Sequence, residues 1–198
     1  MGTGRLEAFS DGVLAIIITV MVLELKKPDG TGWDALGHST TSLVTYVLSF
    51  IYIGIYWSNH HHMLQLTDRV SGGILWANLH LLFWLSLYPF TTGWMDETDV
   101  AQVPALVYGL NLLAAALSYY LLQQLIIRLE GPESRLKKAI RGDWKGKLSP
   151  VIYLTGILTT LITPWLGVAC YAVVAAIWLV PDKRVEAFVA QIEERDNT

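Results

Sequence analysis

Four stretches of the chain, about residues 6–25, 41–64, 72–94 and 103–127, stay apolar for roughly 20 residues each and end at charge, glycine or proline. A helix rises about 1.5 Å per residue, so about 20 such residues cross the roughly 30 Å hydrocarbon core of a bilayer. Charged residues make up 16% of the 198 positions, against about a quarter in a soluble domain, and they sit in short blocks between the runs. The chain therefore reads as an all-α integral membrane protein whose charged blocks are loops.

Several other classes drop out. Cys170 is the single cysteine and lies in an apolar run, so there is no disulfide framework. Eight Trp and nine Tyr argue against disorder, and a net charge of -3 argues against nucleic acid as a partner. The first run continues through Met21 to Leu25 into Lys26 and Lys27 without a cleavage site, so it is a retained span and not a signal peptide.

Residues 148–180 are apolar for too long to be one span, and Pro164 with Gly167 offers a turn near the middle. This predicts two short helices, 148–163 and 165–180, each about 24 Å long, with a re-entrant hairpin as the alternative. The whole chain, residues 1–198, is then a single unit of six transmembrane helices. Lys and Arg accumulate on the cytoplasmic side of membrane proteins. With the N-terminus inside, the inner segments hold Arg5, Arg69, seven basic residues between Arg128 and Lys147, and Lys183, Arg184 and Arg195; the outer loops hold only Lys26 and Lys27. Both termini are expected to be cytoplasmic. Trp33, Trp94 and Trp165 at the outer side and Trp144 at the inner side suit interfacial anchors, whereas Trp57, Trp76, Trp84 and Trp178 read as packing.

The first span opens with Arg5, Glu7, Ser10 and Asp11. A charge at the bilayer centre costs at least about 2.5–3.5 kcal/mol, so an intramembrane Asp11 requires a partner. Two readings are open from these residues: Ser10 and Asp11 cap a helix that starts at Gly12, or they lie inside a longer helix.

Arg5-Leu-Glu-Ala-Phe9-Ser10-Asp11 matches the Arg-x-x-x-Phe-Ser-Asp signature of the lysosomal and endosomal transmembrane potassium channels and their bacterial homologues, and the chain resembles that family along its whole length. The resemblance implies one six-helix unit per chain, as in the bacterial members, assembled as a homotetramer in the bacterial inner membrane. It also implies that the first helix of each subunit lines a central pore for potassium ions, without the usual filter loop. No Thr-Val-Gly-Tyr-Gly sequence is present, and Val107-Tyr108-Gly109 sits inside an apolar span.

Gly12, Ile16, Thr19 and Leu23 fall on one face of the first helix. By their offset from Asp11, the resemblance gives Ile16, Thr19 and Leu23 the pore constriction, with apolar rings of Ile16 and Leu23 around a ring of Thr19 hydroxyls. Such rings obstruct ions by dewetting. Glu24, Asp29 and Asp34 would gather negative charge at the outer mouth.

His60, His61 and His62 are consecutive, so their side chains point about 100° apart on a helix and cannot converge on one metal ion. His80 lies at a depth comparable to Asp11, and one of the cluster together with His80 is expected to meet that carboxylate, with Asn59 and Asn78 close in depth. The resemblance ties Arg5, Phe9, Ser10, Asp11 and His80 into a network that fixes the first helix, and histidine in it would make the network pH sensitive.

Val185, Phe188, Val189 and Ile192 repeat at helical spacing and predict a short amphipathic tail helix. No zinc-ligand spacing, nucleophile elbow, phosphate loop or dinucleotide fingerprint occurs, so no enzyme and no cofactor are expected. The expected function is passive potassium conduction across the lipid bilayer. The alternative is a proton- or cation-coupled transporter that uses Asp11 and the histidines.

Overall fold

The computed structural model describes residues 3–28, 30–140 and 142–180. The expected tail helix, with Lys183, Arg184 and Arg195, and the loop residues Asp29 and Arg141 lie outside the described residues. Among those described there are nine α-helices and no strand: α1 Gly4–Glu24, α2 Trp33–His38, α3 Thr40–Gln65, α4 Gly72–Ser86, α5 Tyr88–Glu97, α6 Gln102–Glu130, α7 Arg135–Ala139, α8 Trp144–Thr159 and α9 Pro164–Leu179. By length and hydropathy, four helical segments suffice to cross a membrane: α1, α3, the combined run of α4 and α5, and α6.

The third of these was expected as one unbroken span over 72–94, and it is instead two helices that meet at Leu87. The cause is Pro89 in the first turn of α5, which has no N–H to donate to the preceding turn and whose ring displaces the carbonyl there. Four hydroxyls on or beside this joint, those of Thr91, Thr92, Ser86 and Ser49, hydrogen-bond within the bundle, so the interrupted segment is not left polar and bare.

Residues 148–180 do form two helices, of 16 residues each, but the first begins at Trp144 and ends at Thr159, four positions earlier than expected at both ends. Asp143 sets that start, because its carboxylate accepts the Gly146 N–H at 2.9 Å and caps the helix before the apolar run begins. The helix α9 starts at Pro164, where a missing N–H costs nothing. The two are pressed together at their glycines. A methyl group on Gly167 would stand 2.3 Å from Thr160 Cγ2 and 2.9 Å from the Gly156 carbonyl oxygen. Gly167→Ala is therefore expected to force α8 and α9 apart at a cost of about 1–3 kcal/mol, read as a lower unfolding midpoint in detergent, and an unchanged midpoint would contradict the packing described.

The core is built around α6, which packs against α4, α5, α8 and α9. Its Ala105, Tyr108, Ala115, Leu122 and Ile126 have no exposed surface, and Gly109 lets the Tyr171 ring of α9 approach closely. Val107, Tyr108 and Gly109 are thus part of a continuous packed helix. The helix α1 lies at the margin of this bundle, against α3, α4 and α5.

Candidate functional site

Because α1 begins at Gly4, Ser10 and Asp11 lie two turns inside it and do not cap it. The Ser10 hydroxyl donates to the Leu6 carbonyl at 2.8 Å, the bond a serine makes within a helix. The helix has two opposite faces. Leu6, Ser10, Leu14, Ile17 and Met21 are buried against the bundle. Phe9, Ile16 and Leu23 are 53, 64 and 83% exposed, and Arg5, Gly12 and Thr19 are exposed with them.

These six exposed residues, Arg5, Phe9, Gly12, Ile16, Thr19 and Leu23, alternate steps of four and three along the chain. That is the 3.5-residue period by which helices meet one another along a common seam. The helix thus has one seam buried in its own bundle and a second one bare within the protomer. At Thr19 the hydroxyl proton is directed at the Ile16 carbonyl, 2.8 Å away, with the Ala15 carbonyl at 3.2 Å. Its lone pairs therefore accept no hydrogen bond among the described residues.

On the buried side, α1 is tied down by two sets of polar contacts. His60 of α3 donates from Nε2 to Asn78 Oδ1 at 2.7 Å, Asn78 of α4 donates from Nδ2 to Ser10 Oγ at 3.0 Å, and Ser10 donates to the Leu6 carbonyl. The chain runs in one direction, each side chain donating to the next, and Ser10, Asn78 and His60 are all buried. The second set sits at the edge. His61 Nδ1 bonds Glu7 Oε1 at 2.6 Å, and the Trp57 indole donates to Asp11 Oδ1 at 3.1 Å. Trp57 stacks on His61 with ring centroids 6.3 Å apart.

This arrangement corrects three expectations. Asp11 is met by Trp57, which had been read as packing, and not by a histidine. His80 does not reach it. The His80 ring accepts from the Trp84 indole at Nε2 (3.1 Å) and lies 3.0 Å through Nδ1 from Ser118 Oγ of α6, whose own proton goes to the Ala114 carbonyl. His80 thus joins α4 to α6, because its position on α4 is turned away from the face that carries Asn78. Arg5 and Phe9 are not drawn into the network within one chain: both point outward on the bare seam, and the Arg5 side chain makes no hydrogen bond or ion pair among the described residues.

A signal for Trp57 and Glu7 was present in the sequence. Glu7 and Asp11 are four apart on α1, and Trp57 and His61 are four apart on α3. In an antiparallel pair of helices, such doublets face each other in reverse order, as they do here. At the opposite end of the bundle Lys26 pairs with Glu97 at 3.0 Å, which holds the lysine ammonium above its ordinary range, and Ser42 hydrogen-bonds Asp96. These two contacts tie the end of α5 to the segment just after α1 and to α3.

The family model described as the endosomal/lysosomal potassium channel TMEM175 matches residues 5–89, the segment that holds α1, the network and the α4–α5 joint. A potassium channel of Chryseobacterium sp. (strain P1-3) is 52% identical over 186 residues, 94% of this chain and 97% of that one. The chain belongs to the TMEM175 family. The crystal structure of a lysosomal potassium-selective channel TMEM175 homolog from Chamaesiphon minutus superposes with a TM-score of 0.77 at 30% identity, over 89% of this chain and 95% of that one. The endosomal/lysosomal proton channel TMEM175 of Danio rerio is 27% identical over 132 residues, which is 64% of this chain and 24% of the fish protein. Against that animal TMEM175 protein, the present chain corresponds to one part of a longer molecule.

Proposed function

We propose that this chain is one subunit of a homotetrameric, potassium-permeable channel in which four copies of α1 surround the ion path. The observation that carries the proposal is the bare seam from Arg5 to Leu23 on an apolar, membrane-length helix. Bacterial relatives named potassium channels support it, as does the potassium-selective homolog of like fold. Ile16 and Leu23 form the apolar constrictions and Thr19 supplies side-chain oxygens between them, while Arg5 and Phe9 contact the neighbouring subunit. The path is then narrowest where water is least at home, and opening amounts to wetting it. Ser10, Asn78 and His60, with Glu7, Asp11, Trp57 and His61, hold each α1 at a set distance from the axis.

In this reading α8 and α9 are the fifth and sixth transmembrane helices. The basic end of the bundle, with Arg69, Arg128, Arg135, Lys137 and Lys138, faces the cytoplasm of the bacterial inner membrane. The coupled-transporter alternative is not favoured: relatives carry channel names, and Asp11 and His80 are engaged by Trp57, Trp84 and Ser118. The test is potassium flux from liposomes that hold the purified chain, followed under potassium and then sodium gradients beside Thr19→Ala. Passive potassium flux is expected, with Thr19→Ala changing the potassium-to-sodium ratio by about threefold or more, the effect of losing one hydrogen-bonding oxygen per subunit. Absence of passive flux for both cations would remove the channel reading.

A further inference from the structure

Between α3, α6, α8 and α9, at the basic end of the bundle and away from the α1 seam, lies a cavity of about 530 Å³. That is the size of a ligand site, where about 300–1,000 Å³ is usual. Its deep wall is aromatic, formed by Tyr52 and Tyr56 of α3, Tyr153 of α8 and Trp178 of α9. Gln123 of α6 also lines the cavity; the residue is 8% exposed and its side-chain amide makes no hydrogen bond among the described residues. An amide without a protein partner at a cavity wall is free to donate to a molecule held there.

The rim of the cavity shows which molecule fits. On one side it is made by Leu117 and Tyr120, about one turn apart on the spanning helix α6 and 52 and 58% exposed, so this side opens toward acyl chains. On the other it is made by Gly142, Asp143, Gly146 and Lys147 at the start of α8, where the apolar region ends. The charges there are not equivalent. Asp143 is occupied by the Gly146 N–H, and Lys145 donates to the Val180 carbonyl at 2.7 Å and lies 5.8 Å from the centre of the Trp178 ring. Lys147 is exposed and makes no ion pair among the described residues. An opening continuous from the hydrocarbon to a lysine at the boundary matches a molecule that is itself continuous from hydrocarbon to phosphate.

We propose that this cavity binds an anionic phospholipid of the surrounding membrane. One acyl chain lies against Tyr52, Tyr56, Tyr153 and Trp178, the phosphodiester meets Lys147, and the Gln123 amide donates to an ester carbonyl of the glycerol backbone. The proposal is independent of what crosses the pore. It also places the lipid beside the fixing network: Asn59 lines the cavity, its carbonyl accepts the Tyr119 hydroxyl at 3.1 Å, and it directly precedes His60 and His61.

The test titrates the purified full chain in detergent micelles with phosphatidylglycerol that carries a brominated acyl chain, a contact quencher of tryptophan. Comparison of the unsubstituted chain with Trp178→Phe isolates the signal of Trp178. Saturable quenching of that component is expected. Ala116→Phe, which places a ring in the cavity, should abolish saturation; Gln123→Leu should raise the half-saturating concentration severalfold, and Lys147→Ala about fivefold. Quenching that rises linearly with lipid and is the same in Ala116→Phe would overturn the proposal. Should Ala116→Phe fail to fold, unchanged half-saturation in both Gln123→Leu and Lys147→Ala overturns it equally, as does a Trp178 signal that no brominated lipid reaches because a second copy covers the opening.

Discussion

Leu23→Asn is expected to raise potassium flux from proteoliposomes about tenfold over the unsubstituted chain, and Ile16→Asn to do the same. Both side chains are more than half exposed on the protomer, so neither substitution removes a contact that folds the bundle. In the proposed tetramer each becomes four copies around the axis, where an apolar ring is hard to wet and an amide ring is not. Tenfold corresponds to about 1.4 kcal/mol of barrier, a modest fraction of what it costs to strip polar groups of water. Selectivity for potassium over sodium should fall in the same variants, because ions that keep more of their hydration are sorted less well. Wild-type flux in both variants, with secondary structure and assembly intact by circular dichroism and size exclusion, would remove these residues from the ion path.

Asn78→Leu should cause the largest loss of stability among single substitutions at the α1 anchor. Asn78 has no exposed surface and is the middle link between His60 and Ser10. Leucine keeps the volume but leaves a histidine N–H without an acceptor and a serine oxygen without its donor, both buried. Each such group costs about 1–3 kcal/mol, so about 2–6 kcal/mol is expected in sum. For a chain of this size that is a fall of roughly 5–15 °C in the unfolding midpoint, measured by intrinsic fluorescence on heating in detergent. Trp57→Phe supplies the contrast. Its indole is 51% exposed where it donates to Asp11, so its loss should cost less than about 1 kcal/mol. Ser10→Ala combined with Asn78→Leu should cost less than the two separately, because they belong to one chain of bonds. A midpoint for Asn78→Leu equal to that of the unsubstituted chain would show that the network does not hold α1.

The spans were legible because a bilayer imposes them through length and hydropathy alone, properties of consecutive residues that need no knowledge of neighbours. The seam on α1 was legible in part for a similar reason: Gly12, Ile16, Thr19 and Leu23 keep helical spacing wherever the helix is placed. Its extension to Arg5 and Phe9 became visible only when the start of α1 was settled at Gly4, since a helix that began at Gly12 would have left both outside it.

The pairing of polar groups was a different matter. Asp11, His60, His61, Asn78, His80 and Trp57 sit at similar depths, and depth is all that a linear sequence supplies. Which of them meet depends on the rotation of each helix about its axis, and rotation follows from packing over the whole bundle. Tyr171 against Gly109, and Gly167 against Thr160, are the kind of close approach that sets it. Hence His80 turns to Ser118 while Asn78, two residues earlier on the same helix, turns to Ser10. The sequence by itself determined that the chain crosses a membrane as helices, which family signature opens it, and which stripe of its first helix is available. Only the tertiary structure decided which partners fix that helix and that an aromatic-walled cavity lies between α3, α6, α8 and α9, because both depend on distances between residues that no local spacing constrains.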